Sequence, residues 1–327
     1  MIDELDLLPA GTSVDPVLGA TLSGRYLVLE RIGEGGSAGV YRARDLRLAR
    51  PVAVKVHRTV ADTPNERARR EREIRMLIDS RHSSVVEILD QGGIAQEEGE
   101  LSYLVLEYFD PADPAADWFS SRDERMIAEV GAQVADALAH LHARDVLHRD
   151  VKPENVLVRS RPVPAGSSLN EAKLSDFGIA RSIDDARLTR PDLLVGTAGY
   201  LSPESVGAGP VGPSSDVYSL GLVLLEALTG KRAYEGTTLE ISLQRMHHAP
   251  VLPAELPERW RPLLAAMTAL DPADRPSAAV VAERLWSGLQ GVAPIAPARM
   301  RLHGLLATVA TLAVGALSAL SLAGVLD

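Results

Sequence analysis

The 327 residues include no cysteine, which excludes disulfides, thiolate zinc sites and cysteine nucleophiles at the outset. Positive charge is in deficit: 34 lysines and arginines face 44 aspartates and glutamates, a net charge of −10. No nucleic acid partner is expected of a chain so balanced. The opening residues, MIDELDLLPA, lack the basic stretch and apolar run of a secretory signal, so the domain that follows is expected in the cytosol. No internal repeat is present. What remains is ordinary for a globular protein, 46% hydrophobic and 24% charged residues. The length suffices for one large domain or two lobes.

Residues 1–22 hold turn-formers and acids without a sustained period and read as a mobile leader. From Tyr26 the pattern is strand-like: Tyr26-Leu27-Val28-Leu29, a glycine-rich turn, Val40-Tyr41, then Val52-Ala53-Val54. Asn65 to Ile78 places Ile74, Leu77 and Ile78 at helical spacing, an amphipathic helix. Val85–Leu89 and Leu101–Leu106 are short apolar runs consistent with strands. After Asp110 helices take over, with Met126–His142 and the nearly all-apolar, hence buried, Ser215–Leu228. Strands first and helices afterwards imply an α+β chain with a small sheet-rich lobe and a larger helical one. Ser160–Glu171 reads as a surface-loop insertion, and residues 287–301, with Pro294 and Pro297, as a linker. Leu305–Leu326 has no charged residue; as a helix it would reach about 33 Å, enough for a hydrocarbon core near 30 Å. A single membrane-spanning helix is therefore expected over 302–326. Arg299 and Arg301 precede it and would stay cytoplasmic, placing the C-terminus outside. Gly315, Ala319 and Ala323 form a small-residue stripe of the kind that can pack two such helices into a homodimer, a spacing that the abundance of alanine here would also give by chance.

Three distant stretches ask for one ligand. His148-Arg149-Asp150-Val151-Lys152-Pro153-Glu154-Asn155 offers a carboxylate, an amine and an amide oxygen. Asp176-Phe177-Gly178 offers a second carboxylate beside a glycine, and Val52-Ala53-Val54-Lys55 ends a strand-like run in a lysine. Together they can hold a divalent metal, bind phosphates and accept a proton from an attacking hydroxyl. Gly33-Glu34-Gly35-Gly36-Ser37-Ala38-Gly39-Val40 adds glycines that let backbone N–H groups approach phosphates.

With these motifs in this order, the chain resembles the Hanks-type (eukaryotic-like) serine/threonine protein kinases, in particular the bacterial membrane-anchored ones. The resemblance covers about residues 23–286. It implies a bilobal protein-kinase fold, with a β-rich N-lobe over 23–109 and an α-helical C-lobe over 110–286. It implies ATP and Mg2+, with Mn2+ as a substitute ion, and protein substrates phosphorylated on Ser or Thr. Asp150 would orient the acceptor hydroxyl and take its proton, and Lys152 would steady the transferring group. Asn155 and Asp176 would hold metal; Lys55 would bind phosphate with Glu73 as its helical partner, Glu71 being the alternative. The nucleotide would lie against Ile32, Gly33, Glu34, Gly35, Gly36, Val40, Ala53, Leu106 and Leu157, with its adenine edge meeting backbone groups of Glu107 and Phe109. The family's third loop glycine falls at Ala38, a departure. Gly196-Thr197-Ala198-Gly199-Tyr200-Leu201-Ser202-Pro203-Glu204 resembles the substrate-docking segment, with Glu204 expected against Arg275 and Asp216 anchoring the catalytic loop. Thr189 is the activation-loop phosphosite candidate, its phosphate pairing with Arg149. Two rival readings are a pseudokinase scaffold that binds nucleotide without catalysis and a kinase for small metabolites. The presence of Lys55, Asp150, Asn155 and Asp176 argues against the first, and the docking segment with Arg275 against the second.

Overall fold

The computed structural model describes residues 15, 17–34, 38–57, 74–75, 77–78, 80–96, 99–110, 118–163, 167–176, 199–207 and 209–289. The chain divides into two units, Met1–Ser160 with Asn170–Val292, and Arg161–Leu169 with Ala293–Asp327. Of the second, the described residues are the strand ends 161–163 and 167–169.

The N-terminal part is an antiparallel sheet of β1 (Thr21–Leu22), β2 (Tyr26–Glu34), β3 (Ala38–Asp45), β4 (Arg50–His57), β5 (Ile88–Gln96) and β6 (Gly99–Glu107), ordered β1-β2-β3-β4-β6-β5. The period of two in β4 decides the geometry of the site. Val52, Val54 and Val56 turn to one face, where they pack with Tyr26, Val28, Tyr41, Ala43, Tyr103 and Val105. Ala53 turns to the other, packing with Ile74, Leu77, Val86, Leu106 and, from the helical part, Ala137 and Leu141. Lys55, two residues on, shares the face of Ala53, the one turned toward the helices. The folded region also reaches back into the expected leader: Thr21–Leu22 pair with β2, and Val17 and Leu22 are buried in the sheet's outer core.

Helices α1 (Trp118–Ser121) and α2 (Glu124–His142) open the helical part. Asp123 caps α2 by accepting the N–H groups of Arg125 and Met126, satisfying donors with no intrahelical partner. Next come the hairpin β7 (Val156–Val163) and β8 (Ser167–Leu174), then α3 (Pro203–Val206), α4 (Pro213–Thr229), α5 (Thr238–His247), α6 (Arg261–Met267) and α7 (Ala278–Leu289). Helix α4 is apolar on all sides because α1, α2, α6 and α7 surround it, and Val217, Leu220, Leu222, Val223 and Leu224 are all at most 1% exposed. The segment 160–171, read from sequence as a surface loop, instead contributes residues 160–163 to β7 and 167–171 to β8. Its Pro162, Pro164 and Gly166 masked strands whose identity comes from backbone pairing. Helical residues occur at 74–75 and 77–78, within the expected amphipathic helix.

Candidate active site

The catalytic loop is shaped by one buried carboxylate. Asp216, 2% exposed in the first turn of α4, accepts the backbone N–H of His148 at 2.9 Å, that of Arg149 at 2.8 Å, and His142 Nε2 at 2.9 Å. Burial alone would raise its pKa; the hydrogen bond and charge of His142, with the backbone donors, hold it below the ordinary aspartate value. This double tether fixes Arg149 at φ 65°, a left-handed conformation that a non-glycine side chain adopts at a cost of about 1–2 kcal/mol. His148, fully buried, closes the loop from the other side. Its Nδ1 accepts the Asp150 N–H at 3.3 Å, so the proton sits on Nε2, which donates to the Ser175 carbonyl at 2.9 Å. Burial pushes its pKa down and keeps the ring neutral.

Asp150, Lys152 and Asn155 converge as a result. Lys152 Nζ lies 2.9 Å from Asp150 Oδ2, and Asn155 Nδ2 donates to the same oxygen at 3.0 Å and to the Asp150 carbonyl at 2.7 Å. Both amide protons being used, the open acceptor of Asn155 is Oδ1. The Ser175 N–H donates to the Asn155 carbonyl at 2.8 Å, which brings Asp176 to the same place. Asp176 has φ 58°, and its Oδ1 meets Lys55 Nζ at 2.9 Å. The Asp176 carboxylate and Asn155 Oδ1 are hard oxygen donors of the kind that would hold a magnesium ion, with Lys55 on Asp176 and Lys152 on Asp150. Glu73, Gly35, Gly36, Phe177 and Thr189 lie outside the described residues.

The adenine side is built on the facing strands. Ala53 pairs with Leu106 and Val40 with Lys55, while Leu157 packs on the cluster that holds Ala53 and Leu106. Ile32 and Glu34 stand well exposed on β2, Glu34 bound by Arg31, and Gly33 pairs with Val40. Ala38 is not among the residues with positive φ, so a side chain is tolerated where the family has glycine. The Glu107 N–H is already given to Glu87 O at 2.8 Å, so an adenine edge cannot be met by that donor. Phe109 is buried under the Arg159 guanidinium, 4.6 Å from its ring centroid. Sequence reasoning missed two partners here. Lys173 Nζ holds Glu107 Oε2 at 2.9 Å, and His142 holds Asp216; an isolated lysine or histidine carries no local signal of a partner 66 or 74 residues away.

Glu204 and Arg275 form a two-pronged ion pair at 2.7 and 2.9 Å, with the side chains 8% and 0% exposed. Burial opposes the charge on Glu204, but Arg275 and Ser215 outweigh it and its pKa falls below the ordinary value. Arg275 also donates to the carbonyls of Ala269, Ser214 and Leu270, which satisfies the rest of its fork.

A lysine on the facing sheet and an Asp–Lys–Asn loop against a second aspartate make up the candidate site. A model of the protein kinase domain matches residues 26–287, and the chain belongs to that family. The chain is 35% identical over 287 residues to the serine/threonine-protein kinase PknL of Mycobacterium tuberculosis, covering 82% of this chain and 66% of that one. It is 34% identical over 252 residues to PrkC of Bacillus subtilis, 75% of this chain and 36% of that one. To PknA of M. tuberculosis it is 35% identical over 268 residues, 80% and 60%. It thus spans less than two thirds of the length of these relatives. Among the described residues no helix is long and apolar enough to cross a membrane; Leu305–Leu326 lie outside them.

Proposed function

We propose that the protein is a serine/threonine kinase that transfers the γ-phosphoryl group of ATP to protein hydroxyls. One observation carries this reading: Lys152 and Asn155 meet on Asp150, and Ser175 ties that group to the Asp176–Lys55 pair. Asp176 and Asn155 Oδ1 would hold magnesium, which supplies positive charge to the phosphates. As the acceptor oxygen bonds to phosphorus and the β–γ bridging bond breaks, Asp150 takes the hydroxyl proton. The Lys152 ammonium beside it offsets charge on the transferring group. The Glu204–Arg275 pair anchors the end of the segment on which a protein substrate would lie. Beside the catalytic loop a cavity of about 430 Å³, lined by Trp118, Phe119, Glu154, Tyr200 and Glu226 among others, offers room for side chains of such a substrate.

The membrane anchor is part of the same proposal, supported by the uncharged run Leu305–Leu326 behind Arg299 and Arg301. It makes the protein a single-pass membrane kinase with a cytoplasmic catalytic domain, able to pair through its small-residue stripe. Autophosphorylation at Thr189 belongs here too; peptide mass spectrometry after incubation with Mg-ATP checks it, and an unmodified Thr189 in active enzyme rules it out. Radiolabelled ATP with a generic basic protein tests the activity itself. Incorporation by the wild type should fall about 10³-fold or more in Asp150→Asn. No incorporation by the wild type, or equal incorporation by the variant, overturns the reading.

A further inference from the structure

The turn between β3 and β4 gathers three arginines. Arg44, Arg47 and Arg50 are all exposed there, and none forms an ion pair or side-chain hydrogen bond among the described residues. Leu46 and Leu48 stand between them, 50% and 58% exposed. Three acids of β3, β2 and β5, namely Asp45, Glu30 and Asp90, are engaged elsewhere. Asp45, 1% exposed, is gripped by Arg25 at 2.6 and 3.0 Å, and that contact draws its pKa down to about 2. Glu30 is held by Arg42, and Asp90 by Arg25 and the Tyr26 hydroxyl. The turn is also fixed in shape. Asp45 Oδ1 accepts the N–H groups of Arg47 and Leu48, Leu46 N–H donates to Arg25 O, and Ala49 takes φ 52°. On a chain of net charge −10, three uncompensated arginines around two exposed leucines form a small, preformed basic and apolar tip.

We propose that the turn of Arg44, Leu46, Arg47, Leu48 and Arg50 is a contact site for the anionic headgroup surface of a lipid membrane. Guanidinium groups fork onto phosphate oxygens, while leucine side chains enter the boundary between headgroups and acyl chains. Five side chains on a protruding turn fall far short of the roughly 1,200–2,000 Å² that a stable protein complex buries. A bilayer needs no matching concavity. The uncharged run at the other end of the chain would bring such a surface within reach. Nothing in the site depends on phosphoryl transfer.

The absence of cysteine makes the test direct: Leu48→Cys in the full chain takes an environment-sensitive dye at one place. The dye emission should shift to the blue with phosphatidylcholine vesicles containing phosphatidylglycerol and stay unshifted with phosphatidylcholine alone. Insertion of the C-terminal run is common to both vesicles and leaves this readout alone. Replacing Arg44, Arg47 and Arg50 together by serine should raise the phosphatidylglycerol needed for half the shift by about a hundredfold. The triple lysine variant should retain most of the effect, and salt above about 0.5 M should abolish it. No shift with either vesicle overturns the proposal, as does an equal shift with both. A shift produced by polyglutamate in the absence of vesicles assigns the turn to an acidic polypeptide and overturns it as well. Kinase activity measured on the same samples is a separate readout, so its loss would leave the lipid result standing.

Discussion

Asp216→Asn isolates the contribution of one carboxylate to the catalytic loop. The side chain keeps its shape and loses its charge. In the wild type Oδ2 accepts from the His148 N–H and from His142, while Oδ1 accepts from the Arg149 N–H. An asparagine has one oxygen to cover three donors. If that oxygen takes the Oδ2 position, the amide NH2 faces the Arg149 N–H; if it takes the other, the NH2 faces His148. A buried donor left facing a donor costs about 1–3 kcal/mol, and loss of charge on the remaining bonds brings the total to about 3–5 kcal/mol. With about 2–4 °C of Tm per kcal/mol for a domain of this size, the melting temperature should drop by about 10 °C. Arg149 would no longer be held at φ 65°, and Asp150, next to it, would lose its placement. The kcat should fall about a hundredfold. The KM for ATP should move less than about threefold, since Lys55 and Asp176 are untouched. Steady-state kinetics, calorimetry and hydrogen exchange at the Arg149 amide read these quantities. An unchanged kcat with a protected Arg149 amide would refute the assignment of Asp216 as the loop's anchor.

Arg275→Met leaves Glu204 charged and buried without its partner, and urea unfolding should show a loss of about 3–5 kcal/mol. The double variant with Glu204→Gln should cost less than that single change; an equal or greater cost would show that the pair is not the source. Asp216 and Glu204, whose folded pKa values are depressed, contribute stability that is present above their unfolded values and lost as pH falls through the folded ones. His148 and His140, held neutral by burial, act at higher pH. Below about pH 6.5 the unfolded chain takes up protons that these rings refuse, so stability should decline as pH drops from about 7 to 5. A Tm flat over that interval contradicts the neutral rings. Gly221 in α4 has Met267 Cβ 3.0 Å and Thr268 Cγ2 2.9 Å from where a Cβ would sit. Gly221→Ala should therefore destabilise by about 1–2 kcal/mol, although alanine is about 1 kcal/mol the better helix former. A gain in Tm would show that α4 and α6 can move apart.

The catalytic machinery was legible in the sequence because it is local. Asp150, Lys152 and Asn155 lie within one short loop, and the alternation in β4 already tells that Lys55 and Ala53 share a face. Helices α2 and α4 were legible from their length and apolar content. Strand β5 was read only as far as Leu89, because Gln91-Gly92-Gly93 looks like a break. Its continuation depends on β6: a Cβ on Gly92 would come within 2.4 Å of the Tyr103 ring, so glycine is what that crossing requires. The β7–β8 hairpin was hidden in the same way, since two prolines and a glycine carry turn signals while the pairing that makes the strands is non-local. Val17 went unread because burial of one valine at a sheet edge leaves no periodic trace.

The four residues Lys173 to Asp176 join the parts of the candidate site. Lys173 fixes Glu107 at the end of β6, Leu174 bonds Ser84 and Val86, and Ser175 bonds the catalytic loop through His148 and Asn155. The lysine is 8% exposed, so its ammonium is tolerable only with the Glu107 carboxylate at hand. Displacing the run as a whole would break contacts in both lobes. Asp176, next in the chain, takes φ 58°. It lies two residues past the end of β8, and Lys55 holds its carboxylate from the sheet at 2.9 Å. The carboxylate is therefore tied to the sheet through Lys55, and its backbone to the catalytic loop through the neighbouring Ser175.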